Sequence, residues 1–241
     1  MIATVTLNPS LDEWLRLPSI RLGGLNRATG FVRYPGGKGI NVSRVIHELG
    51  GSTVAYACAG GDDGVILRQL LCAMGIPFDF VTVRGSTRNN YKIITDRPRA
   101  VTEINAAGPT ISAAHLRRLE HRLLSRRPPP RCVTLSGSLP PGAPSTIYQR
   151  WIRALHRLGV PVVLDASGEA LRRGLSVRPW LAKPNRSEAE ALLRRRLSTR
   201  RALVQAAKEL LHRGAEIIIL SLGGEGALLA SRAPSGVWFA Q

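Results

Sequence analysis

Short apolar runs alternate with helix-like runs along most of this chain, and that alternation constrains its fold more than any other feature. Residues 1–7, 54–59, 80–83, 132–135, 160–164 and 217–220 are brief, apolar and rich in β-branched side chains, as strands covered on both faces require. Between them, residues 39–49, 65–74, 113–124, 146–158, 187–195 and 199–213 repeat their apolar positions with helical spacing. The order predicts an α/β fold, a mostly parallel sheet with helices on both faces. Ligands of such sheets sit where loops leave the carboxyl ends of the strands. Two stretches, about 13–35 and 88–106, lack a helical period and are expected to form a small accessory sheet covering those ends. The Arg- and Pro-rich stretch 126–130 reads as a loop before a strand, so one domain is expected over 1–241.

A chain of 241 residues can bury a sizeable core. No apolar run is long enough to span a bilayer, and the first residues lack the basic leader and cleavage site of a signal peptide. Cys58, Cys72 and Cys132 are odd in number and widely spaced. In their apolar surroundings they are expected to be reduced core thiols of a cytoplasmic protein. The formal net charge of +18 could point to nucleic acid. Arginine carries it, however, on helix faces of solvent type (Arg117, Arg118, Arg122 and 194–201), without a recognition motif. A nucleic-acid partner is therefore ranked last. Lys38, Lys92 and Lys183 fall inside motifs, and only Lys208 lies on an ordinary helix face.

The run Tyr34-Pro35-Gly36-Gly37-Lys38-Gly39-Ile40-Asn41 crowds glycines around one lysine, and Val42, Val45, Ile46 and Leu49 then follow at helical spacing. Glycine lets a ligand approach the main chain, and the free N–H groups of a helix start attract an anion or a hydroxyl-rich molecule. Lys38 and Asn41 add side-chain donors. Upstream, Asn8 and Asp12 follow the first strand; Asp12 can accept from sugar hydroxyls or close an Asx-type turn. In Thr87-Arg88-Asn89-Asn90-Tyr91-Lys92 an extended backbone puts Arg88, Asn90 and Lys92 on one face, either a grip on a phosphate or a solvated edge. Arg27 could join them.

Three later segments have similar double readings. Ser136-Gly137-Ser138 followed by two prolines is a loop able to pass close to a ligand, or an ordinary strand–helix connection. Lys183-Pro184-Asn185-Arg186-Ser187-Glu188 opens a helix. Asn185 or Ser187 could cap it, with an acid in the first turn; alternatively Lys183 and Asn185 meet nucleotide phosphates while Glu188 orders water around Mg²⁺. Ser221-Leu222-Gly223-Gly224-Glu225-Gly226 is either a hairpin turn or a loop that lets a nucleotide approach. No Gly-x-x-x-x-Gly-Lys-Ser/Thr loop and no protein-kinase catalytic loop occur. His47, His115, His121, His156 and His212 fall in helical patterns as surface or interface residues.

Taken in this order, together with Thr102-Glu103-Ile104-Asn105 and Leu164-Asp165-Ala166-Ser167-Gly168-Glu169, the motifs resemble the ribokinase-like carbohydrate kinases. The similarity is greatest to the phosphofructokinase B branch, on the side of the 1-phosphofructokinases and tagatose-6-phosphate kinases. The resemblance implies ATP-dependent phosphoryl transfer to a hydroxyl of a hexose phosphate of the fructose 1-phosphate or tagatose 6-phosphate type. By it, Asp12, Gly37, Gly39 and Asn41 hold the sugar with Lys38 close by. Arg27, Arg88 and Lys92, with Asn90, grip the existing phosphate, and Gly137 and Ser138 border the cleft. Lys183, Asn185, Ser221, Gly223 and Gly226 face ATP, and Glu188 and Asp165 reach Mg²⁺ through water. The two extended stretches become a β lid through which a homodimer could form. The family's Gly-Ala-Gly-Asp segment, whose aspartate is the general base, occurs nowhere in these 241 residues. The expectation is therefore a C-terminally truncated, poorly active kinase without its catalytic aspartate, the alternative a non-catalytic sugar-phosphate-binding protein. A kinase of an unphosphorylated sugar or nucleoside is the further rival, to be separated by the cation set.

Overall fold

A computed structural model describes residues 1–240. Its large sheet has nine strands, β1 (Ile2–Thr6), β4 (Thr53–Ala59), β5 (Phe78–Thr82), β8 (Cys132–Ser136), β9 (Val162–Asp165), β10 (Leu181–Ala182), β11 (Ile217–Ser221), β12 (Ala227–Arg232) and β13 (Ser235–Ala240), in the order β13-β12-β11-β10-β9-β8-β1-β4-β5. Pairing is parallel from β5 through β11 and antiparallel between β11, β12 and β13. A smaller four-stranded sheet contains β2 (Ser10–Leu17), β3 (Gly30–Gly36), β6 (Arg88–Asp96) and β7 (Arg99–Asn105), ordered β3-β2-β6-β7. It takes up the two stretches that lack a helical period.

Alternation along β4 separates two cores. Val54, Tyr56 and Cys58 join the larger one with Leu116 of α3 (Ala113–Leu124), Trp151 of α4 (Ile147–Arg157), Leu171 of α5 (Gly168–Leu175) and Leu210 of α7 (Arg200–His212). Ala55, Ala57 and Ala59 join the smaller one with Ile40 of α1 (Lys38–Glu48) and Leu67 and Leu71 of α2 (Gly61–Ala73), which also receives Leu11 from β2. Helices thus cover both faces, and the small sheet is anchored by Leu11 at its inner end. Helix α6 (Arg186–Leu193) follows β10 after the short connection Lys183-Pro184-Asn185. No helix is long and apolar enough to cross a membrane among the described residues.

The structure changes several readings. Helix α1 does not bury Val42, Val45, Ile46 and Leu49; it seats through Gly39, Ile40 and Ser43, leaving Val45 53% and Leu49 82% exposed. Small residues let a helix approach a strand closely, and here that approach outweighs the apolar stripe. Cys72 is exposed, not a core thiol; Cys132 is half-buried, and Cys58 is buried with its thiol pushed up to about 12 by desolvation. Helix α5 and the β12–β13 hairpin were not legible, being short and interrupted by Gly, Ser and Pro. Asp12 lies inside strand β2, so it closes no Asx turn.

Candidate functional site

Parallel pairing aligns the strand ends that carry the polar motifs. Thr6, Ser136 and Asp165 are register partners on the adjacent strands β1, β8 and β9. Lys183 follows β10 directly, and its backbone N–H donates to Leu164 O at 2.9 Å. At the opposite side of this edge the chain leaves β3 and enters α1 through Gly37, whose φ of 110° suits glycine.

Asp165 stands at the centre. Its carboxylate is nearly buried, and it accepts Lys38 Nζ on one oxygen at 2.9 Å and Lys183 Nζ on the other at 3.1 Å. Lys38 Nζ also lies 3.9 Å from Glu188 Oε1. Two ammonium groups, each still well exposed, are thereby held at one place by a shared counter-ion. Such an arrangement suits a polyanionic ligand. Glu188 has a second task. Asn185 is the N-cap of α6, its Oδ1 accepting from Glu188 N at 2.8 Å, while Glu188 Oε2 accepts from Asn185 N at 2.9 Å. This reciprocal capping box settles the choice of cap in favour of Asn185 over Ser187 and fixes the glutamate's second oxygen. Ser221 pairs with Asn185 in an isolated bridge, and the Gly223–Glu225 stretch is a single 3-10 turn joining β11 to β12. The hairpin reading of that segment holds, and its glycines remain open: a Cβ at Gly223 or Gly224 would meet nothing within 4 Å.

A second polar group lines the inner end of the small sheet. β2 and β6 pair in parallel so that Ser10, Asp12 and Trp14 lie beside Arg88, Asn90 and Lys92. Asn90 Nδ2 donates to Asp12 Oδ1 at 3.1 Å and to Ser10 Oγ at 3.0 Å, and Ser10 Oγ donates to the same Asp12 oxygen at 2.8 Å. Arg88 spans the junction of the two sheets, donating to Asn8 O and Ala106 O at 3.2 Å each. Burial lowers its pKa, opposed by the Asp12 carboxylate; a guanidinium so lowered still stays charged near neutrality. Asn8 Nδ2 donates to Ser138 Oγ at 3.3 Å, tying the group to the loop after β8. Three buried polar atoms here have no partner, Asn8 Oδ1, Arg88 Nε and Asn90 Oδ1. A buried polar atom without a partner is costly, and their concentration at one junction marks a place built for polar company.

Not every expected residue converges. Lys92 sits farther out, its ammonium 4.9 Å from the Trp14 ring centroid and 3.9 Å from Glu103 Oε1. Arg27 lies exposed in the connection between β2 and β3, where its side chain makes no hydrogen bond or ion pair among the described residues. Asn41 is exposed on α1, one turn from Lys38. Gly137 packs opposite Lys38, where a Cβ would stand 3.9 Å from Lys38 Cβ, and its N–H donates to Asp165 O at 2.8 Å. Ser10 and Tyr148 escaped the sequence reading. Tyr148 Oη, fully buried, sits 3.4 Å from both Ser136 O and Gly137 O and props the loop from behind; burial raises its pKa. A hollow of about 660 Å³ between α7 and the β12–β13 hairpin lies apart from these groups. Of its cations Arg232 is already engaged by Ala215 O and Leu211 O, and the hollow lies away from the carboxyl ends of the parallel strands, so the chemistry is assigned to those ends.

Residues 6–240 match the sequence model of the pfkB family carbohydrate kinases. The chain belongs to that family. It is 37% identical over 240 residues to a 1-phosphofructokinase of Bacillus subtilis (strain 168), covering all of this chain and 77% of that protein. It is 36% identical to an ATP-dependent 6-phosphofructokinase isozyme 2 of Mycobacterium tuberculosis, over 96% of this chain and 68% of that one. The fold superposes with a TM-score of 0.92 on Escherichia coli phosphofructokinase-2 solved with fructose-6-phosphate, at 34% identity, covering 99% of this chain and 78% of the other. A pfkB kinase transfers a phosphoryl group, and the two paired lysines are cations of the kind that transfer employs.

Proposed function

We propose that the cleft takes a hexose monophosphate, of the fructose 1-phosphate or tagatose 6-phosphate type, beside ATP, and that the reaction is phosphoryl transfer from ATP to a free sugar hydroxyl. The carrying observation is the shared Asp165 carboxylate, which links Lys38 on the glycine-rich loop with Lys183 at the start of the α6 segment. Two half-sites, one against the small sheet and one against β10–β12, thus meet at a pair of cations.

On the sugar side, Asp12 and Asn90 present polar atoms for hydroxyls and Arg88 supplies charge for the phosphate already present. The main-chain N–H groups of Lys38 and Gly39 are free at the start of α1, where they can receive an oxyanion. Across the cleft, Lys183 would neutralise nucleotide phosphates, with Asn185, Ser221, Gly223 and Gly226 along the nucleotide. The small sheet would cover the sugar and exclude water from the transfer.

The donor set fits hydrated Mg²⁺ better than a directly bound ion. Asp165 is engaged by two lysines and one Glu188 oxygen by the helix cap, and no group of three potential metal-ligating side chains occurs among the described residues. Glu188 Oε1, and Asp165 once its lysines turn to phosphates, would hold a magnesium–nucleotide through water. The ion supplies charge neutralisation on the phosphates.

A second reading, sugar-phosphate binding without turnover, is favoured by the state of the carboxylates. Asp12 accepts two hydrogen bonds, Asp165 two ion pairs, and Glu188 closes a cap with one oxygen and is assigned to the magnesium side with the other, so none of the three is left over for a general base. This 241-residue chain should therefore release ADP in a coupled assay with fructose 1-phosphate or tagatose 6-phosphate far more slowly than the roughly 10 s⁻¹ usual for an enzyme. Turnover at that rate would contradict the proposal of a missing base. Calorimetry separates the readings, since ATP binding supports a kinase site and its absence a binding protein. The outer part of the small sheet leaves Phe31, Val32 and Val101 exposed, and a second copy of the chain is the proposed cover. Sedimentation equilibrium should show a dimer; a monomer at all concentrations would refute it.

A further inference from the structure

The glycine-rich loop cannot cap its own helix. Gly37 occupies the N-cap of α1 and has no side chain to offer, so the first-turn N–H groups need partners from elsewhere. One of them has such a partner. Ile40 N donates to Thr6 Oγ1 at 3.0 Å, across 34 residues of sequence, with both residues almost completely buried. Thr6 is the last residue of β1 and does from a neighbouring strand what a Ser or Thr N-cap does locally.

We propose that Thr6 is the positioning residue of the sugar half-site. It takes the third N–H of α1 and leaves those of Lys38 and Gly39 without a protein acceptor among the described residues. The hydroxyl contact continues one turn deeper. Thr4 Oγ1 lies 2.7 Å from Ser43 Oγ, which lies 2.9 Å from Thr53 Oγ1, so a buried row of hydroxyls from β1 and β4 registers the helix. The helix is also pressed against β1. A Cβ at Gly39 would stand 2.5 Å from Thr6 Oγ1 and 2.7 Å from Val5 O, and one at Gly37 would stand 2.6 Å from Thr6 Cγ2. Thr6 thus sets the height of the loop with its methyl and the rotation of the helix start with its hydroxyl. That also accounts for the exposed Val45 and Leu49: α1 is placed by its hydroxyl and glycine face.

The inference rests on the proposed sugar-phosphate reading. Thr6→Val keeps the shape and removes the acceptor, and Thr6→Ser keeps the acceptor and removes the methyl. With calorimetry, Thr6→Val should weaken fructose 1-phosphate binding about tenfold, the loss of one cap-type hydrogen bond, while an ATP analogue binds within about twofold of the parent. Thr6→Ser should recover most of the loss. A structural defect alone would lower both affinities together, and that result, or an unchanged sugar-phosphate affinity, overturns the proposal. Should Thr6→Val not fold, amide NMR of the unaltered chain decides. Fructose 1-phosphate should shift the Lys38 and Gly39 amide signals and leave Ile40 nearly in place; a shift centred on Ile40 refutes the assignment. If the unaltered chain binds ATP but no sugar phosphate, the functional reading fails and takes this inference with it.

Discussion

Replacing Arg88 by alanine should weaken fructose 1-phosphate binding about 100-fold, because a charge-assisted contact to a phosphate is worth about 1.5–3 kcal/mol and each 1.4 kcal/mol is tenfold. Arg88 is held at the junction by Asn8 O and Ala106 O, so its fork is oriented before the ligand arrives. Arg88→Lys should recover only part of the loss, since an ammonium keeps the charge without the planar pair of donors. Affinity for an ATP analogue should stay within about twofold, as Arg88 makes none of the contacts around Lys183. An unchanged affinity for the phosphosugar in Arg88→Ala would favour a neutral sugar or nucleoside as the substrate.

Gly39→Ala should damage both the fold and the site. Its Cβ would fall 2.7 Å from Val5 O and 3.0 Å from Val5 C, and strand backbone in a nine-stranded sheet cannot yield. Helix α1 must lift away from β1, losing the Thr6 contact and the packing of Ile40. Overpacking of this kind costs about 1–3 kcal/mol, to which the broken cap adds about 1 kcal/mol. For a chain of this size that corresponds to a fall in Tm of about 5–12 °C, measured by calorimetric or optical melting. Sugar-phosphate binding should drop with it, because Lys38 travels with the helix. Gly223→Ala is the contrast: its Cβ would meet nothing, and only its φ of 65° is unfavourable, which costs about 1–2 kcal/mol.

Much of this architecture is legible in the sequence, for physical reasons. Strands buried on both sides are runs of Val, Ile and Leu, and long helices repeat their apolar residues; both signals survive without knowledge of partners. The resemblance set Lys38 on the sugar side and Lys183, Glu188 and Asp165 on the nucleotide side, and the structure joins Lys38 to Asp165 and Glu188, and Lys183 to Asp165. What was not legible depends on three-dimensional proximity. The seating of α1 on Gly39 and Ser43 runs against its own apolar stripe, and only the closeness of β1 explains it. Thr6 looks like any strand threonine until Ile40 is seen above it. Asp165 reads as a metal-side carboxylate in sequence and is found holding two lysines. The outward position of Lys92, drawn to Trp14 and Glu103, likewise depends on its neighbours on the two flanking strands.

The central claim is that the junction of the two sheets recognises a phosphorylated sugar. Titration calorimetry of the unaltered chain with fructose 1-phosphate and, in parallel, with fructose tests it most directly. Saturable binding of the phosphate ester, with fructose at least about 100-fold weaker, is the predicted result. Equal affinity for the two sugars, or binding of neither, would contradict the account.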